Sequence, residues 1–255
     1  VLLAVAVVWF APALGFFLVA EALLLLAFRE YAMLARASGL ATPAVASAAA
    51  AALTCAAFSS VALPSPIAAL DVMLMTALVV LAGISMRSWT GGHDALGSTA
   101  AAIFPSLYLG LPIGAMIAVR ESHGREALFL LMVTVMVSDT AQYYSGRAFG
   151  RRLLAPQISP KKTIAGAVGG FVCGALMLAV VGRWWLPEAP LPVRAVLGVG
   201  VVALGIVGDL FESMLKRSAG VKDSSTLIPG HGGILDRIDA LLFAAPVYYA
   251  VLKYL

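Results

Sequence analysis

The sequence predicts an all-α, polytopic membrane protein, and three observations carry that expectation. Of 255 residues, 62% are hydrophobic and only 12% are charged. Soluble domains are about 45–50% apolar and about 25% charged. The apolar residues form runs close to the roughly 20 residues that a helix needs to cross a bilayer. The charges gather between those runs, where a soluble fold would spread them over its surface. At that length per span the chain holds about nine spans, the first cut short, in a single domain over 1–255.

The runs lie at 1–10, 14–34, 43–63, 66–86, 95–119, 126–149, 163–182, 192–214 and 236–255. Pro12 stops the first. Pro105 and Pro112 fall inside the fifth and predict a kink there. Gly166, Gly170 and Gly174 recur every fourth residue in the seventh, a spacing that lets helices approach closely. Residues 1–130 read as scaffold and lipid-facing spans. Residues 131–255 read as the catalytic part, with polar loops at 147–162 and 215–235. No cleavable signal pattern is visible, and Val1 lies within an apolar run, which leaves room for a natural N-terminus further upstream. Cys55 and Cys173 each sit in an apolar run without metal-type spacing and read as core thiols.

The net charge of +4 comes from basic residues in loops, which suits anionic ligands and membrane topology rather than nucleic acid. Loops after even-numbered spans hold Arg29, Arg36, Arg87, Arg147, Arg151, Arg152, Lys161, Lys162, Lys216, Arg217, Lys222 and Arg237. Those after the third, fifth and seventh spans hold only Arg120, Arg125, Arg183 and Arg194. The excess puts the even-numbered loops in the cytoplasm, across what is expected to be a bacterial inner membrane.

A carboxylate inside a span is costly and needs a partner or a task. Asp139, Asp209, Glu212, Asp236 and Asp239 all fall toward the cytoplasmic ends of their spans. Asp209, Glu212, Ser213, Lys216 and Arg217 follow one another at three- and four-residue steps and form one polar stripe. Asp139, Tyr143, Gly146, Arg147 and Gly150 make a second stripe, and Asp236 and Asp239 share a face. Two loops accompany them, Ser159-Pro160-Lys161-Lys162-Thr163 and Pro229-Gly230-His231-Gly232-Gly233. Glycine lets backbone amides approach an anion, and lysine adds a point charge. Neither loop fits the phosphate loop of ordinary nucleotide hydrolases. Buried Asp–Arg pairs that hold the bundle together are the alternative for any one acid, but they leave the loops unexplained. Arg29 and Glu30 read as an interface anchor, and His93 and His123 as solvated loop residues. Glu21 and Asp71 have no partner visible in the sequence.

The stretch Ser213-Met214-Leu215-Lys216-Arg217, then Val221-Lys222-Asp223, then Leu227-Ile228-Pro229-Gly230-His231-Gly232-Gly233-Ile234-Leu235-Asp236-Arg237-Ile238-Asp239 resembles the C-terminal signature of phosphatidate cytidylyltransferases. The resemblance extends upstream through Asp209, the 159–163 segment and Asp139, with Gln142 standing where the family often has Ala. The first 130 residues match only in hydropathy. The resemblance implies that phosphatidic acid and CTP react to give CDP-diacylglycerol and pyrophosphate. It implies Asp209 and Asp236 as ligands of Mg²⁺, with two metal sites expected and a monovalent ion such as K⁺ a further candidate. Lys216, Arg237 and Asp239 complete the expected catalytic set. Asp139, Tyr143, Ser159, Lys161, Lys162, Thr163, Ser213, Arg217, Lys222, Asp223, Gly230, His231, Gly232 and Gly233 are the expected substrate-binding set. Membrane lipids are further expected partners, and a homodimer the expected assembly. A CTP-dependent lipid kinase and an ion-coupled transporter are the rival classes. The kinase lacks this full signature, and a transporter would place its acids near the midplane.

The charge asymmetry makes a test. A cysteine introduced within 215–235 is expected to label with an impermeant reagent from the cytoplasmic side, and one near Glu188 from the opposite side. Reversed labelling would refute the orientation.

Overall fold

In a computed structural model of the chain, residues 2–62, 70–91, 94–222, 224–225 and 232–255 are described. His93, Asp223, Gly230, His231 and the start of the fourth predicted span lie outside the described residues. Helices α1 (Leu2–Phe10), α2 (Ala13–Ala37), α3 (Ala44–Ala56), α4 (Leu70–Ser88) and α5 (Ala95–Pro105) are followed by a π-helical turn, Ser106–Gly110, and α6 (Leu111–Phe149). A short antiparallel hairpin of β1 (Leu153–Ala155) and β2 (Ser159–Thr163) leads into α7 (Ile164–Trp185), α8 (Leu191–Ser218) and α9 (Leu235–Lys253). The described chain is therefore helical apart from one hairpin, and 159–163, expected as a polar loop, forms a strand.

Four stretches are long and apolar enough to cross a membrane: Leu70–Ser88, Ala95–Phe149, Ile164–Trp185 and Leu191–Ser218. Large apolar side chains face outward on them, among them Val72, Met75, Val79, Val168, Leu176 and Val196. Lipid accounts for such a surface where water would not. The protein is thus an integral membrane protein of the all-α class.

The prolines of the fifth predicted span act as expected. Pro105 ends α5, Pro112 lies in the first turn of α6, and the π turn separates them. The fifth and sixth spans differ from expectation in being joined within α6. The junction is Gly124, with φ 85° and ψ 169°, a backbone conformation that glycine adopts without a Cβ clash. Contacts show that the chain turns back there. Tyr31 Oη donates to the Ala101 carbonyl at one end of the bundle (2.8 Å). Glu121 accepts from Ser59 Oγ and from Ser60 N and Oγ at the other end. Gly146 then returns to Thr163 on the first side. At the Glu121 end, the Arg125 guanidinium bonds the Trp9 carbonyl and lies over its ring, and Arg120 bonds the carbonyls of Val8 and Ala11. Both arginines thus take up carbonyls that the end of α1 leaves without helical partners.

The core runs through the bundle from Leu24 and Phe28 of α2 through Ile113, Leu128 and Leu131 of α6 to Leu242 and Tyr248 of α9. The buried Tyr248 hydroxyl donates to the Ala127 carbonyl (2.9 Å). The α6–α7 seam uses the predicted glycines. A Cβ at Gly166 would lie 2.8 Å from the Gln142 carbonyl, at Gly170 2.5 Å from Gln142 Cγ, and at Gly174 2.5 Å from Val202 Cγ2. Of the two cysteines, Cys55 is buried but Cys173 is exposed. The reading of Cys173 as a core thiol is corrected, because an all-apolar helix gives no signal of which side faces lipid. Glu21 lies near the thiol of Cys55 on α3, a proximity that spacing could not show.

The seam predicts that Gly166→Leu, which drives a side chain into the Gln142 backbone, lowers thermal stability in mild detergent by about 1–3 kcal/mol. An unchanged melting profile would show that α6 and α7 separate more easily than this contact implies.

Candidate active site

The acids, the hairpin and the starts and ends of four helices meet at one end of the bundle. Two clusters form there. In the first, Lys162 of β2 ion-pairs with Asp209 of α8. Asp139 of α6 and Asp239 of α9 lie within electrostatic range of both groups. The hairpin supplies the geometry. Neighbouring residues of a strand point to opposite faces, so Lys162 turns inward and half-buried while Lys161 is exposed. Thr163 closes the strand and caps α7, its hydroxyl oxygen accepting from Gly166 N at 3.1 Å. The approach of α8 to α9 depends on Gly208, where a Cβ would lie 2.5 Å from the Asp239 carbonyl. That contact sets Asp209 beside Asp239.

In the second cluster Lys216 ion-pairs with Glu212, one turn earlier on α8, and with Asp236 Oδ1 (2.5 Å). Glu212 is fully buried. Asp236 Oδ2 accepts from Ser224 N (3.2 Å), Ser224 Oγ (2.7 Å) and Gly233 N (2.8 Å). Asp236 is thus held by one ammonium and two backbone amides, with the Ser224 hydroxyl within reach of it and of Glu30. The floor beneath is aromatic. Tyr108, on the π turn, is buried among Phe104, Phe211 and Phe243. Its hydroxyl has no hydrogen-bond partner among the described residues and lies within electrostatic range of Glu212, Asp239 and Asp236.

The remaining predicted residues divide. Arg217 Nε reaches the Ile158 carbonyl at 3.5 Å and ties the end of α8 to the hairpin. Ser159 opens β2, and Ser213 is half-buried on α8. Lys222 and Arg237 are exposed at this end. Tyr143 is exposed on α6, where its hydroxyl accepts from the Arg147 guanidinium (3.5 Å) and its ring lies edge-on to that of Tyr144. Gly232 has φ 76°, and Gly233 packs where a Cβ would sit 2.1 Å from Ser224 Oγ and 2.4 Å from Glu30 Oε2.

Residues outside the predicted set also belong here. Gln142 Nε2 donates to Asp139 Oδ1 (3.0 Å), so the unusual residue at this position holds one of the acids. Glu30 is corrected from an interface anchor. It is 2% exposed and accepts from Ser224, Ser225, Ile234 and Leu235. A carboxylate one turn inside an apolar helix was the available signal, but its partners lie some 200 residues away in sequence.

The Cytidylyltransferase family profile matches residues 1–255. The chain belongs to this family. It is 45% identical over 131 residues to a phosphatidate cytidylyltransferase of Haemophilus influenzae, covering 49% of this chain and 45% of that protein. To the enzyme of that name in Pseudomonas aeruginosa it is 38% identical over 180 residues, covering 70% and 65%. To that of Bacillus subtilis it is 35% identical over 190 residues, covering 73% and 69%. The matched part therefore spans between about half and two thirds of these relatives' length.

The ion pairs predict a specific stability pattern. Lys216→Met leaves the buried Glu212 without its cation, and removing one partner of a buried pair costs roughly 3–5 kcal/mol. Glu212→Leu in the same chain is expected to recover a large part of that loss. Melting of the single and double variants in detergent measures it, and no recovery would mean that Lys216 stabilises mainly through Asp236.

Proposed function

We propose that this chain is a phosphatidate cytidylyltransferase. One observation carries the reading: carboxylates from α6, α8 and α9 meet lysines from β2 and α8 at one end of an apolar bundle, in a chain of the cytidylyltransferase family. The reaction joins two polyanions at a membrane surface, so it needs charge neutralisation beside an apolar bed. A phosphate oxygen of phosphatidic acid attacks the α-phosphorus of CTP. The bond from that phosphorus to the bridging oxygen of the β-phosphate breaks, and pyrophosphate leaves with the electron pair. The lipid phosphate is already ionised near neutral pH, so no side chain has to remove a proton.

The acids suit a hard divalent cation. Among the described residues no three His, Cys, Asp or Glu side chains enclose a metal position. Mg²⁺ does not require such a cage, because it often takes one or two carboxylates together with substrate phosphates and water. Asp209 and Asp236 are the proposed ligands, with Asp139 and Asp239 as neighbours of Asp209. When bound, Mg²⁺ neutralises phosphate charge and stabilises the attacking and leaving oxygens. Lys162 and Lys216 supply compensating charge beside the same carboxylates, and Arg217, Lys222 and Arg237 offer further cations to the phosphates. Gln142 orients Asp139.

This reading includes nine spans, a site facing the cytoplasm and a homodimer. Its topological support is that the residues near 30, 155, 217 and 234 share one end, while those near 10, 60 and 121 share the other. The acids sit at the first end, which favours an enzyme at the interface over a transport path at mid-depth.

The test is pyrophosphate release by purified protein in mixed micelles, dependent on both CTP and phosphatidic acid. Asp209→Asn and Asp236→Asn are each expected to reduce turnover by a factor of at least about 10–100 while the folded protein remains extractable in mild detergent. Phosphoryl transfer to a lipid alcohol in place of pyrophosphate release would move the chain to the lipid-kinase class.

A further inference from the structure

Glu30 is remote in sequence from every expected site residue, yet it contacts the segment that holds Asp236. Its Oε1 accepts from Ser225 Oγ (2.6 Å) and Ile234 N (2.9 Å), and its Oε2 from Ser224 Oγ (2.9 Å) and Leu235 N (2.8 Å). The amides at the start of a helix have no intrahelical acceptor and favour an anion. Glu30 occupies that place at α9, and the structure gives Ile234, the residue before α9, no side-chain cap of its own.

We propose that Glu30 is a positioning residue that acts on Asp236 through the start of α9 and through Ser224. The proposal rests on the cytidylyltransferase reading above. Two features separate this role from simple capping. First, Ser224 Oγ lies 2.9 Å from Glu30 Oε2 and 2.7 Å from Asp236 Oδ2. A hydroxyl has one hydrogen to donate, so it serves one carboxylate at a time. When it turns to Glu30, Asp236 loses one donor and gains one free lone pair toward the site. Second, the chain is shaped around this contact. A Cβ on residue 233 would collide with both Ser224 Oγ and Glu30 Oε2, while the Gly233 amide donates to Asp236 at 2.8 Å. Asp236 follows Leu235 directly, so the Glu30 bond to the Leu235 amide fixes the direction from which the Asp236 side chain leaves the backbone.

Glu30→Gln tests this, because it keeps the side-chain volume but sets an NH₂ group against donors. The measurements are kcat, KM for CTP and the melting profile of purified protein in mixed micelles, per folded molecule. The expected result is a fall in kcat of about 10–100-fold, the range for groups that orient a site residue, with KM for CTP changed by less than about threefold. A lower melting temperature with wild-type kcat would make Glu30 a helix cap alone and overturn the proposal. Ser224→Ala, which breaks only the bridge, is expected to lower kcat about 10-fold or more. In the double variant the two losses are expected to fall short of additive, as for groups in one network. Additive losses would overturn the proposal, and so would wild-type kcat in Ser224→Ala, which can be measured even if Glu30→Gln does not fold. Failure of the wild-type chain to release pyrophosphate would instead refute the functional reading beneath it.

Discussion

A carboxylate placed in an apolar helix must find a cation or several donors, and this requirement organises the whole polar end of the molecule. Asp209 takes Lys162, Glu212 takes Lys216, and Asp236 takes Lys216 together with Ser224 and Gly233. The partners come from β2, from α8 and from the segment before α9. The hairpin carries Lys162 of β2 to Asp209 of α8. Without Lys162 on β2, the acids of α6, α8 and α9 would face one another with much less compensation. The two ammonium groups, of Lys162 and Lys216, supply the positive charge beside these carboxylates.

The helices meet closely enough for this because side chains are missing where backbones cross. Gly208 brings α8 against the Asp239 carbonyl, and the glycines of α7 receive Gln142 and Ser138 of α6. In lipid, where apolar side chains gain little by leaving their surroundings, close van der Waals contact and hydrogen bonds hold helices together. The seam is therefore both packing and placement. Gln142 fills the space over Gly170 and from there donates to Asp139.

The N-terminal helices are more than a scaffold. Glu30 of α2 bonds the start of α9, and Tyr108 on the π turn forms part of the aromatic floor below the acids. A π turn between Pro105 and Pro112 shifts the helix register locally, and such turns recur at functional sites. Contacts at the polar end thus reach into residues 1–130, beyond where the recognisable motifs stop.

Much of this was legible in the sequence. Hydropathy runs place the helices, since in lipid each must satisfy its own backbone bonds, and each run overlaps helix in the described residues, four stretches being long and apolar enough to cross a membrane. The three- and four-residue steps from Asp209 to Lys216 predict a pair on one helix, and Glu212–Lys216 is that pair. The four-residue glycine spacing predicts a tight seam, because it is a local property of one helix. Partner choice across helices was not legible. The sequence alone determined that carboxylates and lysines would collect at the same membrane face. Only the tertiary structure decided that Lys162 serves Asp209, that Lys216 bridges Glu212 and Asp236, and that Glu30, 205 residues before Leu235, holds the start of the last helix. The reason is physical: spacing along one helix fixes which side chains share a face, whereas pairing between helices depends on their rotation and depth, which are set by packing among all of them.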